Sequence, residues 1–288
     1  MKRSSDKKDY KKYFNLLVVF VLIVLFLGLS LFKKNKENNG NDDFRFAIIG
    51  DKSLEMVSIS PQRTMVNVVK VSNSVPVWLP YGPAWYRVEQ VKQTLSDDKN
   101  NQRTANSLFW YNFGFIPDKV IYSNNENIWK NSSTLIANLG LINWVKYEFN
   151  SGRMLYKEEN IKDDLLNSDD LLDEMMSRDF ADSRVSNDDF TLSVFNTTSE
   201  DGLASFISKR LEWSGFSVVS SESINKKVDN CLIVYGPKTD TAFGWHILNK
   251  IFDCKSEYSD SLNENEAELY FGDNYVSMVK YSSYKRNF

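Results

Sequence analysis

The hydrophobic positions of the chain form one long uninterrupted run, followed by three segments with shorter patterns. The run covers Phe14–Phe32, 19 residues without a charged side chain, and about 20 apolar residues are needed to cross a bilayer. A cleaved signal peptide has a shorter apolar part and then a small-residue cleavage site, but Leu31-Phe32-Lys33-Lys34 follows here. The pattern therefore predicts a single transmembrane helix, an uncleaved anchor being favoured over a signal peptide.

The charges on either side of this helix predict its orientation. Residues 1–13 hold six lysine and arginine residues, whereas residues 33–43 hold three, and the more basic flank of a helix stays in the cytoplasm. We expect a cytoplasmic tail at 1–13, a polar stalk at 33–43 and an extracytoplasmic bulk. The predicted location is the cell membrane, with the membrane contacted through Phe14–Phe32.

The first segment beyond the stalk, residues 44–149, has the pattern of a small α/β domain. Three strands are predicted at Phe44–Ile49, Leu54–Ser60 and Thr64–Val71. Pro61 favours a hairpin turn between the second and third strands. Pro83 fits the first position of a helix, whose apolar positions would be Trp85, Val88, Val91 and Leu95. Further along, we expect a strand over Lys119–Ser123 and a helix over Ser133–Trp144.

The second segment, residues 150–189, is acidic, with twelve Asp or Glu residues against five Lys or Arg. Ser168 is placed to cap a short helix that begins with Asp169 and Asp170, where negative charge suits the helix dipole. A calcium loop needs a glycine and a closing glutamate at fixed spacing, which this stretch lacks. We therefore predict an acidic, solvated linker with one short helix and few contacts between the segments that it joins.

The third segment, residues 190–288, shows the order β-α-β-β-α-β. Its strands are expected at Phe190–Asn196, Phe216–Ser220, Cys231–Gly236 and Ala267–Gly272. Two amphipathic helices fill the intervals, and Gly215 suits the end of the first of them. The predicted fold class is thus α/β: one N-terminal transmembrane helix followed by two small α/β ectodomains that fold separately.

Composition excludes several kinds of chemistry. The chain has one histidine, His246, and two cysteines, so neither a two-histidine mechanism nor a four-thiolate zinc site is available. Residues 33–288 carry a net charge of −7, which disfavours binding to a phosphate backbone, and no nucleic-acid partner is expected. Whether Cys231 and Cys254 form a disulfide depends on a distance that the sequence does not give.

The third segment resembles the C-terminal domain of LytR–CpsA–Psr proteins. The stretches that carry the likeness are SVFNTTSEDGLASFISKRLEWSGFSVV at 193–219, DNCLIVYGPKTDTAFGWHI at 229–247 and ELYFGDNY at 268–275. The first segment is similar to the catalytic domain that normally precedes it, in the strand ending Gly50-Asp51, the following hairpin and the stretch YGPAWYRVEQVKQTL at 81–95. In that family, this domain transfers a glycopolymer from polyprenyl pyrophosphate to peptidoglycan, with arginines, acidic residues and magnesium.

The sequence departs from the family at its charged positions. Where the family has Pro-Arg-Asp after the second hairpin strand, this chain has Ser72, Asn73 and Ser74. Arginine binds phosphate oxygens bidentately, and phosphoryl transfer depends mainly on positioning and charge stabilisation. The resemblance therefore implies a truncated, diverged relative whose catalytic residues are not preserved, although residual activity stays an open alternative.

The predicted ligand-binding residues are polar and charged residues near the departed family positions, together with aromatic residues that could stack on a ligand. Fourteen per cent of the residues are aromatic, and the dense run at 109–115 is expected to line a groove for a lipid or a glycan. The predicted binding residues are Asp51, Glu55, Asn73, Arg87, Trp110 and Tyr111. No catalytic residue, metal ligand or cofactor is assigned, and magnesium would be needed only by a transferase.

These observations lead to three hypotheses about function. The first is a non-catalytic binding or scaffold module in cell-wall glycopolymer assembly, with peptidoglycan, glycopolymer or polyprenyl lipid as partners. The second is a diverged phosphotransferase that recruits Arg45, Arg63, Arg87 and Arg103 around Asp51 or Glu55. The third is a protein–protein adaptor in the cell envelope that acts through residues 190–288.

Overall fold

The computed structural model describes residues 43–60, 65–73, 75–80, 84–96, 101–123, 143–150, 153–158, 164–166 and 169–279. The predicted tail, the transmembrane helix, nearly all of the stalk, the turn at Pro61 and residues 133–142 of one predicted helix lie outside these ranges. Within them, no helix has the length and apolar character needed to cross a membrane.

The residues from Asp43 onward form one compact unit of mixed α/β structure. Its larger sheet has seven strands in the order β6-β1-β2-β3-β7-β8-β9. In chain order, the strands of this sheet are β1 Phe44–Ile49, β2 Ser53–Ser60, β3 Met65–Ser72, β6 Lys119–Tyr122, β7 Asn143–Asn150, β8 Arg153–Glu158 and β9 Asp164–Leu166. The three predicted strands at the start and the strand at 119 are confirmed, and β2 pairs with β3 in the antiparallel register that a hairpin requires.

A two-stranded sheet and two helices follow β3. The strands are β4 Pro76–Leu79 and β5 Ala84–Arg87, and the helices are α1 Val88–Ser96 and α2 Asn101–Phe113. The prediction that the helix begins at Pro83 is wrong, because Ala84–Arg87 pairs with β4 and Trp85 lies directly opposite Trp78. The two indole rings are 5.7 Å apart, so cross-strand packing outweighs the helical spacing of the sequence.

The acidic stretch contributes helices that pack against the rest of the protein. α3 spans Asp169–Asp179 and α4 spans Ser183–Ser186, so the predicted short helix is confirmed. Met175 and Met176 of α3 are buried in the same hydrophobic core as β1–β3. Their burial contradicts the expected solvated linker. In a solvated linker these side chains would be exposed to water, whereas here their apolar surface is packed in a core, which stabilises the fold.

The residues from 191 onward form a five-stranded sheet with helices beside it. Its strands are β10 Thr191–Asn196, β11 Ser217–Ser223, β12 Cys231–Tyr235, β13 Lys255–Tyr258 and β14 Glu266–Phe271, and its helices are α5 Leu203–Trp213, α6 Phe243–Ile251 and α7 Asp273–Val279. The order across the sheet is β11-β10-β14-β12-β13. The predicted β-α-β-β-α-β order is present, with β13 as an additional strand.

The expectation of few contacts between the first and third segments is wrong. Trp213 of α5 belongs to the core formed by β1–β3, whereas Trp110 and Tyr111 of α2 belong to the core of the five-stranded sheet. The Arg210 Nε also donates to the carbonyl of Tyr111 at 3.1 Å. Each core therefore contains residues from both segments. The domain boundaries at 149 and 190 stay predictions.

Cys231 and Cys254 form a disulfide with a Cα–Cα distance of 4.8 Å, which answers the question that the sequence left open. The bridge joins the first residue of β12 to the residue before β13 and thus encloses α6. In the chain-entropy description, a cross-link across 23 positions stabilises the folded state by about 3 kcal/mol.

Replacing both cysteines by serine is expected to lower the free energy of unfolding by about 3 kcal/mol. Urea unfolding of the full chain in detergent, followed by tryptophan fluorescence, measures this change. Adding a thiol reductant should destabilise the native protein to a similar extent and leave the double-serine variant unchanged. Equal stability of the oxidised and reduced native protein would contradict a stabilising bridge.

Candidate functional site at one edge of the larger sheet

The carboxyl ends of four strands meet at one edge of the seven-stranded sheet. β1 is parallel to β6, β3 is parallel to β7, and β2 is antiparallel to both β1 and β3. The chain therefore leaves β1, β6, β3 and β7 at the same edge, where ligands commonly bind in sheets with parallel strands. We call this region the carboxyl edge; of the predicted ligand-binding residues, it holds Asp51, Glu55 and Asn73.

Asp51 lies in the tight connection between β1 and β2. The Gly50 amide donates to the Ser53 carbonyl at 2.9 Å, which leaves the Asp51 side chain 54% exposed. From α1, the Lys92 Nζ donates to Asp51 Oδ1 at 2.6 Å and to the Ser123 carbonyl at 3.1 Å. The lysine thus joins the ends of β1 and β6 and neutralises the carboxylate that stands at the edge.

Glu55 is the third residue of β2 and lies on the other side of the sheet from Leu54 and Met56. Its side chain is only 8% exposed, and it accepts a hydrogen bond from Ser53 Oγ at 3.4 Å. In the strand register, Lys70 of β3 lies directly across from it. An acid and a base at paired positions on one face stabilise the strand pair.

Asn73 follows β3 in an exposed turn. The Val75 amide donates to the Ser72 carbonyl at 3.1 Å and closes this turn. Asn73 itself is exposed at the carboxyl edge. An amide there offers hydrogen bonds to a ligand but no formal charge.

Three of the four arginines named in the transferase hypothesis lie in separate ion pairs. Arg87 is 4.0 Å from Glu89, and its side chain is 74% exposed. Arg103 lies 2.9 Å from Asp253, and Arg45 lies 3.4 Å from Asp182. Because each arginine has a different carboxylate partner, these pairs do not form the shared pyrophosphate pocket that the transferase hypothesis requires; Arg63 lies outside the described residues.

Trp110 and Tyr111 are placed differently from the sequence prediction. They lie on α2, at 0% and 3% exposure, and Trp110 packs edge-on against Phe252 with centroids 4.9 Å apart. Since neither ring has an accessible face, the predicted groove at these two residues is not present. The density of aromatic residues reflects a helix that is buried between two cores.

A buried cluster of charges, which the sequence analysis missed, joins β1 to the acidic stretch. The Arg184 Nη2 donates to Asp182 Oδ2 at 2.7 Å and to Asp118 Oδ1 at 2.8 Å. Arg45 Nη1 donates to the same oxygen, Asp182 Oδ2, at 3.4 Å. Arg45 and Asp182 are both 0% exposed, so this cluster has a structural role and does not offer a ligand site.

The pKa shifts in this cluster follow from burial and pairing. Burial by itself would raise the pKa of Asp182, but hydrogen bonds from Arg184 and the charges of both arginines bring it below its ordinary value. Burial lowers the pKa of Arg45 against the opposing influence of Asp182 and Asp118. It likewise lowers the pKa of Lys250, whose Nζ donates to the Pro117 carbonyl at 3.0 Å.

The sequence does contain one indication of this cluster. Arg45 alternates with Ala47 and Ile49 on the face of β1 that packs into the core. A charged residue in such a position is almost never fully buried without a partner. The partner itself is not predictable, because Asp182 lies 137 residues further along the chain.

Metal binding has no evident site in the part of the chain that the structure describes. Within those residues, no three or more His, Cys, Asp and Glu side chains are grouped so as to hold a metal ion. Asp51 and Glu55 lie close in sequence, but Asp51 is paired with Lys92 and Glu55 is buried beside Ser53.

Comparison with known proteins gives only distant similarities. No protein-family profile and no curated protein matches the chain. The crystal structure of TagU from B. subtilis matches at 16% identity and a TM-score of 0.25, over 46% of this chain and 53% of that one. The chain thus spans about half of the TagU structure.

Two further solved structures match over a greater length. They are described as the putative transcriptional factor Lmo1026 from Listeria monocytogenes, with 11% identity and a TM-score of 0.25, and the protein Lin1025 from Listeria innocua, with 11% identity and a TM-score of 0.21. They cover 85% and 84% of this chain and 96% and 95% of their own. TM-scores at this level support no argument about function.

Proposed function

We propose that this protein is a membrane-anchored, extracytoplasmic cell-envelope protein of LytR–CpsA–Psr type that acts as a non-catalytic binding or scaffold module in cell-wall glycopolymer assembly. The resemblance of the sequence supports the family, and the long apolar run at 14–32 supports the anchor. The wall polymer, or the lipid that carries it, is then the partner that the extracytoplasmic part binds.

The observation that carries the non-catalytic assignment is the charge at the carboxyl edge. The stretch after β3 is uncharged, with Ser72 half-buried and Asn73 exposed, and the ammonium of Lys92 is engaged by Asp51 at 2.6 Å. A pyrophosphate carries several negative charges, and catalysis of its transfer depends on cations held around it. A stretch after β3 that brings no charge to the edge, beside a lysine that is already paired, suits hydrogen bonding to a polymer better than phosphoryl transfer.

The binding function predicts that the full chain in detergent sediments with purified peptidoglycan sacculi that carry glycopolymer. In the same tubes, a polyprenyl-pyrophosphate-linked oligosaccharide and magnesium should give no release of polyprenyl phosphate over hours. An active glycopolymer transferase, run in parallel, shows that the substrate and the sacculi are competent. Turnover by this chain would overturn the proposal and favour the diverged transferase.

A matched pair of variants locates the binding within the protein. Asn73→Ala removes the exposed amide at the carboxyl edge, and Glu222→Gln changes an exposed polar residue of the five-stranded sheet. We expect Asn73→Ala to reduce sedimentation with sacculi and Glu222→Gln to leave it unchanged. If the chain fails to sediment with sacculi but retains an envelope protein on co-purification, the adaptor hypothesis takes its place.

A further inference from the structure

Three aromatic rings form a continuous strip along one side of the five-stranded sheet. Tyr235 comes from β12, Trp245 from α6 and Tyr258 from β13. The centroid of Tyr235 lies 4.6 Å from that of Trp245 and 5.7 Å from that of Tyr258. Tyr258 is 54% exposed, although full burial of an aromatic ring contributes strongly to stability. We call these three residues the aromatic strip.

Carboxylates flank the exposed end of the strip. The Tyr258 hydroxyl donates to Asp260 Oδ1 at 2.6 Å. This hydrogen bond, followed by partial desolvation and the charges of Asp260 and Asp240, raises the pKa of Tyr258. Asp260 therefore contacts an accessible tyrosine, and Asp240, whose charge contributes to the same shift, is exposed as well. The surroundings of the strip thus attract cations and repel anions.

The disulfide holds the three elements that carry the strip. Cys231 is the first residue of β12, Cys254 directly precedes β13, and the bridge between them encloses α6. Beyond the paired ends of these strands, the Ser259 amide donates to the Tyr235 carbonyl at 2.9 Å. A surface whose rings are fixed in this way loses little conformational entropy when it binds a ligand.

We infer that the aromatic strip binds a saccharide that carries a protonated amino group. The apolar C–H face of a sugar ring packs on the exposed ring of Tyr258, and a cation over an aromatic face gains further attraction from the quadrupole of the ring. The carboxylates of Asp240 and Asp260 complement the ammonium and accept hydrogen bonds from sugar hydroxyls. An anionic polymer is disfavoured by the same two carboxylates.

This inference goes beyond the proposed function, because it names a second surface of the protein and a class of saccharide that this surface would bind. The surface is distinct from the carboxyl edge, since its three residues belong to β12, α6 and β13. A basic peptide is the other occupant that the charges would accept. It lacks the flat apolar face that an exposed ring accommodates, and for this reason we assign the strip to an amino sugar.

The test is a binding titration of the full chain in detergent at mildly acidic pH. The probes are a glucosamine tetramer, its fully N-acetylated counterpart and tetralysine. We expect the glucosamine tetramer to bind at least about fivefold more tightly than the acetylated tetramer, since acetylation removes the charge. Tyr258→Ala should weaken the binding of the glucosamine tetramer at least about fivefold.

Matched variants separate the contributions of ring and charge. Tyr258→Phe keeps the ring and should retain the binding, whereas Asp240→Asn combined with Asp260→Asn should abolish the preference for the non-acetylated tetramer. Glu222→Gln, at an exposed site on β11, is expected to have no effect. Circular dichroism of each variant shows whether it is folded, and only folded variants enter the comparison.

The outcomes distinguish this inference from the proposed function. If the chain sediments with sacculi but does not bind the glucosamine tetramer, the inference is wrong and the proposed function stands. If the tetramer binds through Tyr258 but sacculi do not, the site exists and the proposed function is wrong. Tetralysine binding that is as tight and equally dependent on Tyr258 would show a general cation surface and would overturn the assignment to a saccharide.

Discussion

Replacing Asp182 by alanine is expected to lower the free energy of unfolding by about 3–5 kcal/mol, because it leaves buried Arg45 without its carboxylate. Both side chains are 0% exposed, so solvent cannot replace the lost partner. The loss also removes the acceptor of two short hydrogen bonds from Arg184, at 2.7 and 2.8 Å. Chemical denaturation of the full chain in detergent measures the change.

An exposed ion pair provides the matched control. Arg103 and Asp253 lie 2.9 Å apart, but their side chains are 40% and 77% exposed. Asp253→Ala is therefore expected to lower the free energy of unfolding by at most about 1 kcal/mol.

The double variant Arg45→Met with Asp182→Leu should recover much of the stability that Asp182→Ala loses, since an apolar pair of suitable volume can replace a buried ion pair. A small effect of Asp182→Ala would contradict the burial of this cluster.

The same cluster predicts the direction of acid sensitivity. The pKa of Asp182 in the folded protein lies below its ordinary value of 3.8, so the folded state holds the proton less tightly than the unfolded state does. Its contribution to stability is complete above the unfolded pKa and is lost as the pH falls through the folded pKa. Asp182→Asn should accordingly flatten the decline in stability in this acidic range.

Strands with clear alternation could be predicted from the sequence because their neighbours are close in the chain. β1 alternates Arg45, Ala47 and Ile49 toward one core with Phe46 and Ile48 toward the other face. The pairing of β2 with β3 needs only a short turn, and the pattern of both strands agrees with it. Local periodicity is sufficient in such cases, since the face that is buried determines the register.

The sequence does not predict elements whose packing partners lie in distant parts of the chain. The helical spacing of Trp85 and Val88 is real, but Trp85 pairs with Trp78 across a strand instead. The aromatic run around Trp110 fits a helix that is buried on several sides, and this burial depends on α6 and the adjoining Phe252, more than 100 residues away. The acidic stretch appeared solvated because its charged residues outnumber the two methionines that anchor α3.

The sequence indicates some of the residues that reach the carboxyl edge, whereas their role in ligand binding stays a prediction. Asp51 and Asn73 follow strands whose parallel direction could be inferred from their order, and the structure places both at the carboxyl edge. Glu55 lies at the same edge but is buried. The sequence does not distinguish Lys92, because a lysine on the polar face of a helix has no local feature that separates it from other lysines.

Replacing Trp110 by alanine is expected to lower the free energy of unfolding by about 3–5 kcal/mol, the typical cost of emptying a tryptophan site in a core. Trp110 comes from α2 in the first segment, but its ring packs against Tyr111 at 4.8 Å and Phe252 at 4.9 Å. It thus belongs to the core of the five-stranded sheet. The cavity should weaken both sheets together, because Trp213 completes the other core in the same reciprocal way.

Amide hydrogen exchange of the full chain in detergent tests this coupling directly. In Trp110→Ala, the protection of amides in β1–β3 and in β10 and β14 should fall by the same free energy, as it does when one cooperative unit opens. Trp110→Phe keeps an aromatic edge against Phe252 and should give a smaller, parallel change. If protection falls only in β10 and β14 while β1–β3 keep theirs, the two sheets open independently, and the shared cores do not make the folded chain one cooperative unit.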